Sequence, residues 1–229
     1  MCFSATASFA AAATLVPCGI VTIRQALDTD RRRIGIACFP LFFGVQQAFE
    51  AIVWLGIDAP SEWPLSAAAL VFLFFAYWFW PVWVPASACL IEPDGLRRRV
   101  FTALALVGIV FGAVLYLPVL ANPDGLTVTL VRNSLVYTGD LLFHGEMAKQ
   151  LLRVLYAMVI CIPLMASSRL DLRRFGYLIA ASVLISFLVA SYAFTSIWCF
   201  MAAILSAYIL VVFRGLKRGS GAWDSPSSG

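Results

Sequence analysis

Seven long apolar segments constrain the fold of this chain more than any other feature of its sequence. Each is long enough, or nearly so, to cross a hydrocarbon layer about 30 Å thick at about 1.5 Å per helical residue. Because lipid offers no hydrogen-bond partners to the backbone, segments of this length form helices. We place them at about residues 3–23, 34–56, 65–87, 100–120, 148–166, 176–194 and 196–213. The sequence therefore predicts an all-α, polytopic membrane bundle of seven transmembrane helices.

The composition leaves no room for a separate soluble domain. The chain is 62% hydrophobic and 12% charged, whereas an average soluble domain is about 45–50% apolar and about 25% charged. We predict one transmembrane domain over residues 1–218, followed by a disordered, Gly/Ser-rich tail over residues 219–229. The first four residues carry no basic side chain, so we expect the first helix to be retained rather than cleaved as a signal peptide.

One long connection, residues 121–147, interrupts the otherwise short loops. It opens with a turn sequence at residues 122–125 and alternates in hydrophobicity over residues 126–131. A connection of this length in a compact bundle is usually functional or disordered, and few of its residues are of the types that promote disorder. We therefore expect it to form a structured cap or a re-entrant segment.

The distribution of basic residues predicts the orientation, because Lys and Arg accumulate in short cytoplasmic loops. One side of the predicted topology holds 13 of the 16 basic residues, which are Arg24, Arg31, Arg32, Arg33, Arg97, Arg98, Arg99, Arg169, Arg173, Arg174, Arg214, Lys217 and Arg218. The N-terminus is therefore predicted outside and the C-terminus in the cytoplasm. This topology explains the net charge of +4, so we expect the lipid bilayer as a partner and no nucleic acid.

Glu50 is the only acidic residue inside the seven apolar segments. An ionisable group at membrane depth costs about 2.5–3.5 kcal/mol on insertion scales and is a functional-site hypothesis by default. Gln46, Glu50 and Trp54 share one helical stripe, with Gln47 one step away. All four are predicted in the outer part of the second helix.

Other polar side chains are predicted at the same depth as Glu50. Their assembly would make an outer-facing polar pocket for a small molecule, a lipid or a proton. Its predicted members are Gln46, Gln47, Glu50, Trp54, Tyr192 and Cys199, with Cys2 at the start of the first helix and His144 on the loop above. The alternative is that Glu50 is a neutral, hydrogen-bonded group that only joins two helices.

The cysteines and the single histidine limit the chemistry. Cys2 and Cys199 alone are predicted near the outer face, where they would form a disulfide in an oxidising compartment or remain free thiols. One histidine, His144, cannot supply the ligand sets typical of catalytic zinc. We therefore predict no metal site and assign no cofactor.

Three sequence motifs carry a resemblance to a known family. The opening MCFSATASF, the pattern Gln46-Gln47-x-x-Glu50 and the triplet Trp198-Cys199-Phe200 resemble a family of small bacterial multi-helix membrane proteins of unknown function. That family favours Gly after the glutamate, where this chain has Ala51. The resemblance implies a bacterial inner-membrane setting and no particular activity.

Three classes of function remain open at this level. The first is a membrane protein that binds, senses or moves a small molecule or a proton at Glu50. The second is an intramembrane enzyme, a lipid hydrolase or a thiol-dependent enzyme, with Glu50 as acid or base. The third is a structural or assembly subunit whose aromatic third helix packs against partners. The sequence leaves the oligomeric state open.

Overall fold

Seven helices and one β-hairpin make up the computed structural model, which describes residues 4–57, 65–139, 145–190 and 193–220. The helices are α1 (Ala5–Thr29), α2 (Arg31–Gly56), α3 (Leu65–Ile91), α4 (Leu96–Ala121), α5 (Glu146–Met165), α6 (Leu170–Ala190) and α7 (Phe194–Gly215, continuing to Ser220). The hairpin strands are β1 (Thr127–Val131) and β2 (Ser134–Thr138). The predicted seven-helix bundle is therefore confirmed.

Six of the seven helices are long and apolar enough to cross a membrane; α6 is the exception among the described residues. Its first turns carry Asp171, Arg173 and Arg174. The described part of the predicted tail, residues 219–220, belongs to the last helical stretch, and residues 221–229 lie outside the described residues.

The helices alternate in direction, which gives the bundle two distinct ends. We call the end that carries the β-hairpin the hairpin end. The opposite end, with Arg31–Arg33 and the α3–α4 and α5–α6 turns, is the arginine end. Glu50 lies six residues, less than two turns, before the last residue of α2, Gly56, and is therefore near the hairpin end.

Glycine allows α1 and α2 to approach backbone to backbone. A Cβ atom at Gly19 would lie 2.4 Å from the Leu41 backbone nitrogen. The Thr22 hydroxyl donates to the Ala37 carbonyl oxygen at 2.7 Å. Small residues and interhelical hydrogen bonds stabilise helix pairs in lipid, so this pair forms a closely packed support for Glu50.

Aromatic residues of α3 pack against neighbouring helices and the hairpin. A π-helical segment, Phe74–Phe79, widens α3 directly before Trp80, and the Tyr156 hydroxyl of α5 donates to the Ala76 carbonyl oxygen within it. The Trp80 ring stacks on Phe43 of α2 with centroids 3.8 Å apart. No aromatic side chain in the described part of α3 is exposed, which weighs against a partner-binding aromatic face.

The β-hairpin accounts for the predicted structured cap. Arg132 and Asn133 form its turn with φ of 47° and 60°, the left-handed conformations that two-residue hairpin turns require. Leu135 of β2 is fully buried, and the Tyr137 ring stacks on Phe72 of α3 at 4.9 Å. The hairpin therefore packs on the helices and brings Tyr137 towards the bundle interior.

A second buried carboxylate, Glu92, joins α3 to the α5–α6 turn at the arginine end. It is 3% exposed. It accepts hydrogen bonds from the Ser167 hydroxyl and from the Ser168 backbone N–H, the latter at 2.8 Å. Since the carboxylate satisfies two donors of one turn, we assign it a structural role.

Replacing Glu92 with alanine is expected to lower the free energy of unfolding by about 1–3 kcal/mol, because it leaves buried donors without an acceptor. Unfolding by sodium dodecyl sulfate, followed by circular dichroism, measures the change. Asp94→Ala is the matched control, since the Asp94 side chain is 92% exposed and its pairing with Arg98 is a surface contact. Equal stabilities of the two variants would contradict the structural role.

Candidate functional site

Glu50 lies in a sealed position between α2 and α7. Its side chain is 1% exposed. One carboxylate oxygen accepts a hydrogen bond from Gln47 Nε2 at 2.9 Å, and the other accepts one from the Ser196 hydroxyl at 2.5 Å. Among the described residues no basic side chain forms a salt bridge with it.

Gln46 connects this carboxylate to α3 and α7. Its Oε1 accepts a hydrogen bond from Trp80 Nε1 at 2.7 Å. Its amide lies next to the Cys199 thiol, which also lies close enough to Glu50 to interact electrostatically. Cys199 is buried and has no disulfide partner among the described residues; its predicted partner, Cys2, lies outside them.

Tyr137 of the hairpin closes the cluster towards the hairpin end. Burial raises the pKa of Tyr137 well above its ordinary value, and the proximity of Glu50, Cys199 and Tyr77 raises it further. The phenol therefore stays neutral at physiological pH, with an O–H available to donate. Tyr77 of α3 in turn is hydrogen-bonded to Thr195 of α7.

The cluster contains several buried polar atoms with no hydrogen-bond partner among the described residues. They are Gln46 Nε2, Gln47 Oε1, Trp54 Nε1 and the Tyr137 hydroxyl. Most buried polar groups in native structures are satisfied, so each exception calls for an explanation, such as a water or ligand that the protein normally binds. Three of the four are donors and one is an amide acceptor.

The structure places four of the predicted pocket residues in α2 and one in α7. Gln46, Gln47 and Glu50 are fully buried, Trp54 is half-buried, and Cys199 packs beside Gln46. The other three predicted residues, Cys2, His144 and Tyr192, lie outside the described residues.

Two further side chains in this region were not assigned a role from the sequence. Tyr137 lies in the long connection, where the alternation in hydrophobicity over residues 126–131 indicated extended structure but did not show which side chain reaches the helices. Arg153 lies within α5, with its guanidinium 5.5 Å from the centre of the Phe194 ring, and it interacts electrostatically with Tyr77. A cation inside an apolar helix is itself a site signal.

An apolar cavity of about 30 Å³ lies in the bundle interior, lined by α2, α3, α5, α6 and α7. We call it the axial cavity. Its lining residues are Phe39, Phe43, Trp80, Val84, Tyr156, Ile160, Leu164, Phe175, Ile179, Trp198, Cys199 and Ala202. Trp80 and Cys199 belong both to this lining and to the Glu50 cluster, so cavity and cluster are contiguous.

Comparison with known proteins identifies the family but no activity. Residues 1–224 match the model of a family of unknown function, DUF6629. The chain belongs to this family. No match was found among the curated proteins or the solved structures. The DUF6629 protein is thus a helical, multi-pass membrane protein of a family without an assigned activity, in agreement with the resemblance noted from the sequence.

The geometry of the DUF6629 protein limits what the Glu50 cluster can do. A carboxyl group with a hydroxyl and an amide as neighbours can hold or pass a proton, or bind a polar group. Among the described residues no cluster of His, Cys, Asp and Glu side chains suits a metal ion. The described cluster offers hydrogen-bonding side chains, one carboxyl group and one neighbouring thiol.

Proposed function

We propose that this protein binds and exchanges a proton, or a small polar molecule, at the buried cluster centred on Glu50. The observation that carries the proposal is a sealed carboxyl group in a cluster with four buried polar atoms that have no hydrogen-bond partner among the described residues. A glutamate that only joined two helices would need Gln47 and Ser196 and nothing more. The additional unsatisfied groups favour an occupant.

The absence of a basic partner among the described residues favours a proton as one such occupant. An ionised carboxylate is costly to bury unless it is paired, and the neutral acid avoids that cost. The Gln47 amide and the Ser196 hydroxyl can each rotate to donate or to accept. Both protonation states of Glu50 would therefore find hydrogen-bond partners, as reversible proton exchange requires.

Infrared difference spectroscopy of the protein in lipid nanodiscs, recorded across a pH titration, tests this proposal. We expect a carbonyl-stretch band of a protonated carboxylic acid that shifts in heavy water, changes with pH and disappears in Glu50→Gln. The matched control is Glu92→Gln, because Glu92 is also buried but lies at the arginine end. The titrating band should persist in this variant. A titrating band that persists in Glu50→Gln, or no titrating band, would overturn proton exchange at Glu50.

An intramembrane hydrolase is the second candidate, favoured by the hydrogen bond from the Ser196 hydroxyl to Glu50. A hydroxyl paired with a carboxylate resembles a nucleophile with its base. A lipophilic fluorophosphonate should then label Ser196, and Glu50→Gln should remove the label. Absence of labelling under conditions in which the infrared band titrates would leave the binding function and exclude this one.

We further propose that the hairpin end faces the non-cytoplasmic side of a bacterial inner membrane. The support is the accumulation of basic residues at the arginine end, since such residues remain cytoplasmic. Thiol labelling with a membrane-impermeant reagent tests this orientation. Asn133→Cys at the hairpin turn should react in intact cells, whereas Arg32→Cys should react only after the membrane is opened.

A further inference from the structure

We propose that the axial cavity binds the alkyl chain of an uncharged, single-chain amphiphile whose oxygen-bearing head group meets Gln46. This inference rests on the proposed function, because it gives the Glu50 cluster a ligand class. The ligands of this class are long-chain alcohols, and aldehydes and protonated fatty acids share their chemistry.

The lining residues of the axial cavity extend along the bundle. Its α5 wall consists of Tyr156, Ile160 and Leu164, which follow one another at intervals of four residues on one helix face. At about 1.5 Å per residue they extend over about 12 Å along the bundle. The lining therefore extends along the bundle axis, the direction that an extended alkyl chain would follow.

The lining of the cavity is apolar apart from the side chains at one end. Phe175 and Ile179 of α6 and Ala202 of α7 complete the hydrocarbon surface. No charged side chain lines the cavity in the part of the chain that the structure describes. An alkyl chain in this space would therefore contact only hydrophobic and aromatic atoms, the usual lining of a small-molecule site.

The end shared with the Glu50 cluster supplies the polar contact. The Trp80 ring lines the cavity, while its N–H is already donated to Gln46 Oε1. Gln46 Nε2 is fully buried, and beside it lies only the Cys199 thiol, a weak acceptor that also lines the cavity; no described residue offers it a hydrogen bond of normal geometry. An oxygen acceptor at this end of the cavity would satisfy the free amide donor.

The charges around that end select an uncharged head group. An anionic head would be buried with no cation among the described lining residues to pair with it, which is costly. A quaternary ammonium head has no lone pair to accept a hydrogen bond from Gln46 Nε2. A hydroxyl or carbonyl oxygen satisfies both conditions.

The size of the cavity sets one structural requirement. A volume of about 30 Å³ accepts only about two water-sized groups, since one water needs about 10–15 Å³ by the same measure. A methylene chain is wider than a water molecule. The lining rings, among them Phe43 and Trp198, must therefore rotate outwards when the chain enters.

Photolabelling in lipid nanodiscs tests this proposal, with a long-chain alcohol that carries a diazirine at the far end of its chain as the probe. We expect saturable labelling of Ile160, Leu164 or Ile179, mapped by mass spectrometry. Excess dodecanol should compete with the label, whereas dodecyl sulfate and dodecyltrimethylammonium should not. Probe dissolved in the bilayer should label exposed residues of α4, such as Leu106 and Val110, without saturation.

The variant Ala202→Leu should abolish labelling of the cavity residues, because the larger side chain enters the cavity. Its matched control is Ala181→Leu, at an exposed position of α6, which should retain the label. Labelling confined to α4, or equal competition by the two charged compounds, would overturn the proposal. The wild-type competition needs no variant, so a folding defect cannot obscure the result. If the wild-type protein shows no labelling of the cavity residues but keeps the titrating infrared band of Glu50, the amphiphile proposal is rejected and the proposed function is retained.

Discussion

Replacing Gly19 with valine is expected to prevent α1 from packing on α2 and to leave little folded protein. A Cβ at position 19 would lie 2.4 Å from the backbone nitrogen and 2.5 Å from the Cβ of Leu41. Backbone atoms cannot rotate away as a flexible side chain can, so the two helices must separate. Overpacking typically costs about 1–3 kcal/mol and occasionally more. Valine carries two methyl groups on its Cβ, so we expect a cost at the upper end of this range.

The yield of monodisperse protein by size-exclusion chromatography and the midpoint of unfolding by dodecyl sulfate measure this effect. Gly215→Val is the matched control, since a Cβ at Gly215 meets no atom within 4 Å in the described structure. The control should behave as the wild type. A Gly19→Val protein with unchanged yield and midpoint would show that the backbone contact between α1 and α2 is not formed.

The helices of this protein are predictable from the sequence because lipid imposes a simple rule. Long apolar segments must satisfy their own backbone hydrogen bonds, so their lengths are enough to predict a bundle of helices. Their ends were less predictable. Helix α3, placed at residues 65–87, continues to Ile91, since its last turn gains the stabilising contact of Glu92 with the α5–α6 turn.

The centre of the candidate site was also predictable, for an energetic reason. A buried carboxylate in lipid needs partners, and the neighbours Gln46 and Gln47 supply amides on the same helix. The sequence also placed the start of α7 at the depth of Glu50. It could not single out Ser196 as the residue that donates to the carboxylate, because helix rotation decides which side chain faces inwards.

Contacts between residues far apart in the chain could not be predicted from the sequence. Tyr137 reaches the cluster only because Asn133 and Arg132 form a tight turn and β2 packs on α3. The axial cavity arises from side chains of five helices, and no local spacing in the sequence encodes such a void. Both features depend on tertiary packing, which a pattern within one segment does not reveal.

Replacing Glu50 with leucine is expected to lower the free energy of unfolding by about 2–5 kcal/mol, because two buried donors, Ser196 Oγ and Gln47 Nε2, lose their acceptor. Glu50→Gln should cost less, since an amide oxygen can still accept from Ser196. Combining Glu50→Leu with Ser196→Ala should be less costly than the sum of the single variants by about 0.5–3 kcal/mol. Unfolding by dodecyl sulfate in mixed micelles gives the four free energies of this double-mutant cycle.

Ser206→Ala supplies the matched cycle. Ser206 is also a fully buried serine of α7, but its hydroxyl donates to the Ala203 carbonyl oxygen of its own helix. Its effect should therefore add to that of Glu50→Leu. Additivity in both cycles would mean that Glu50 and Ser196 are not coupled. If Glu50→Gln retains most of the stability but loses the titrating infrared band, the carboxyl group is needed for its proton rather than for the fold.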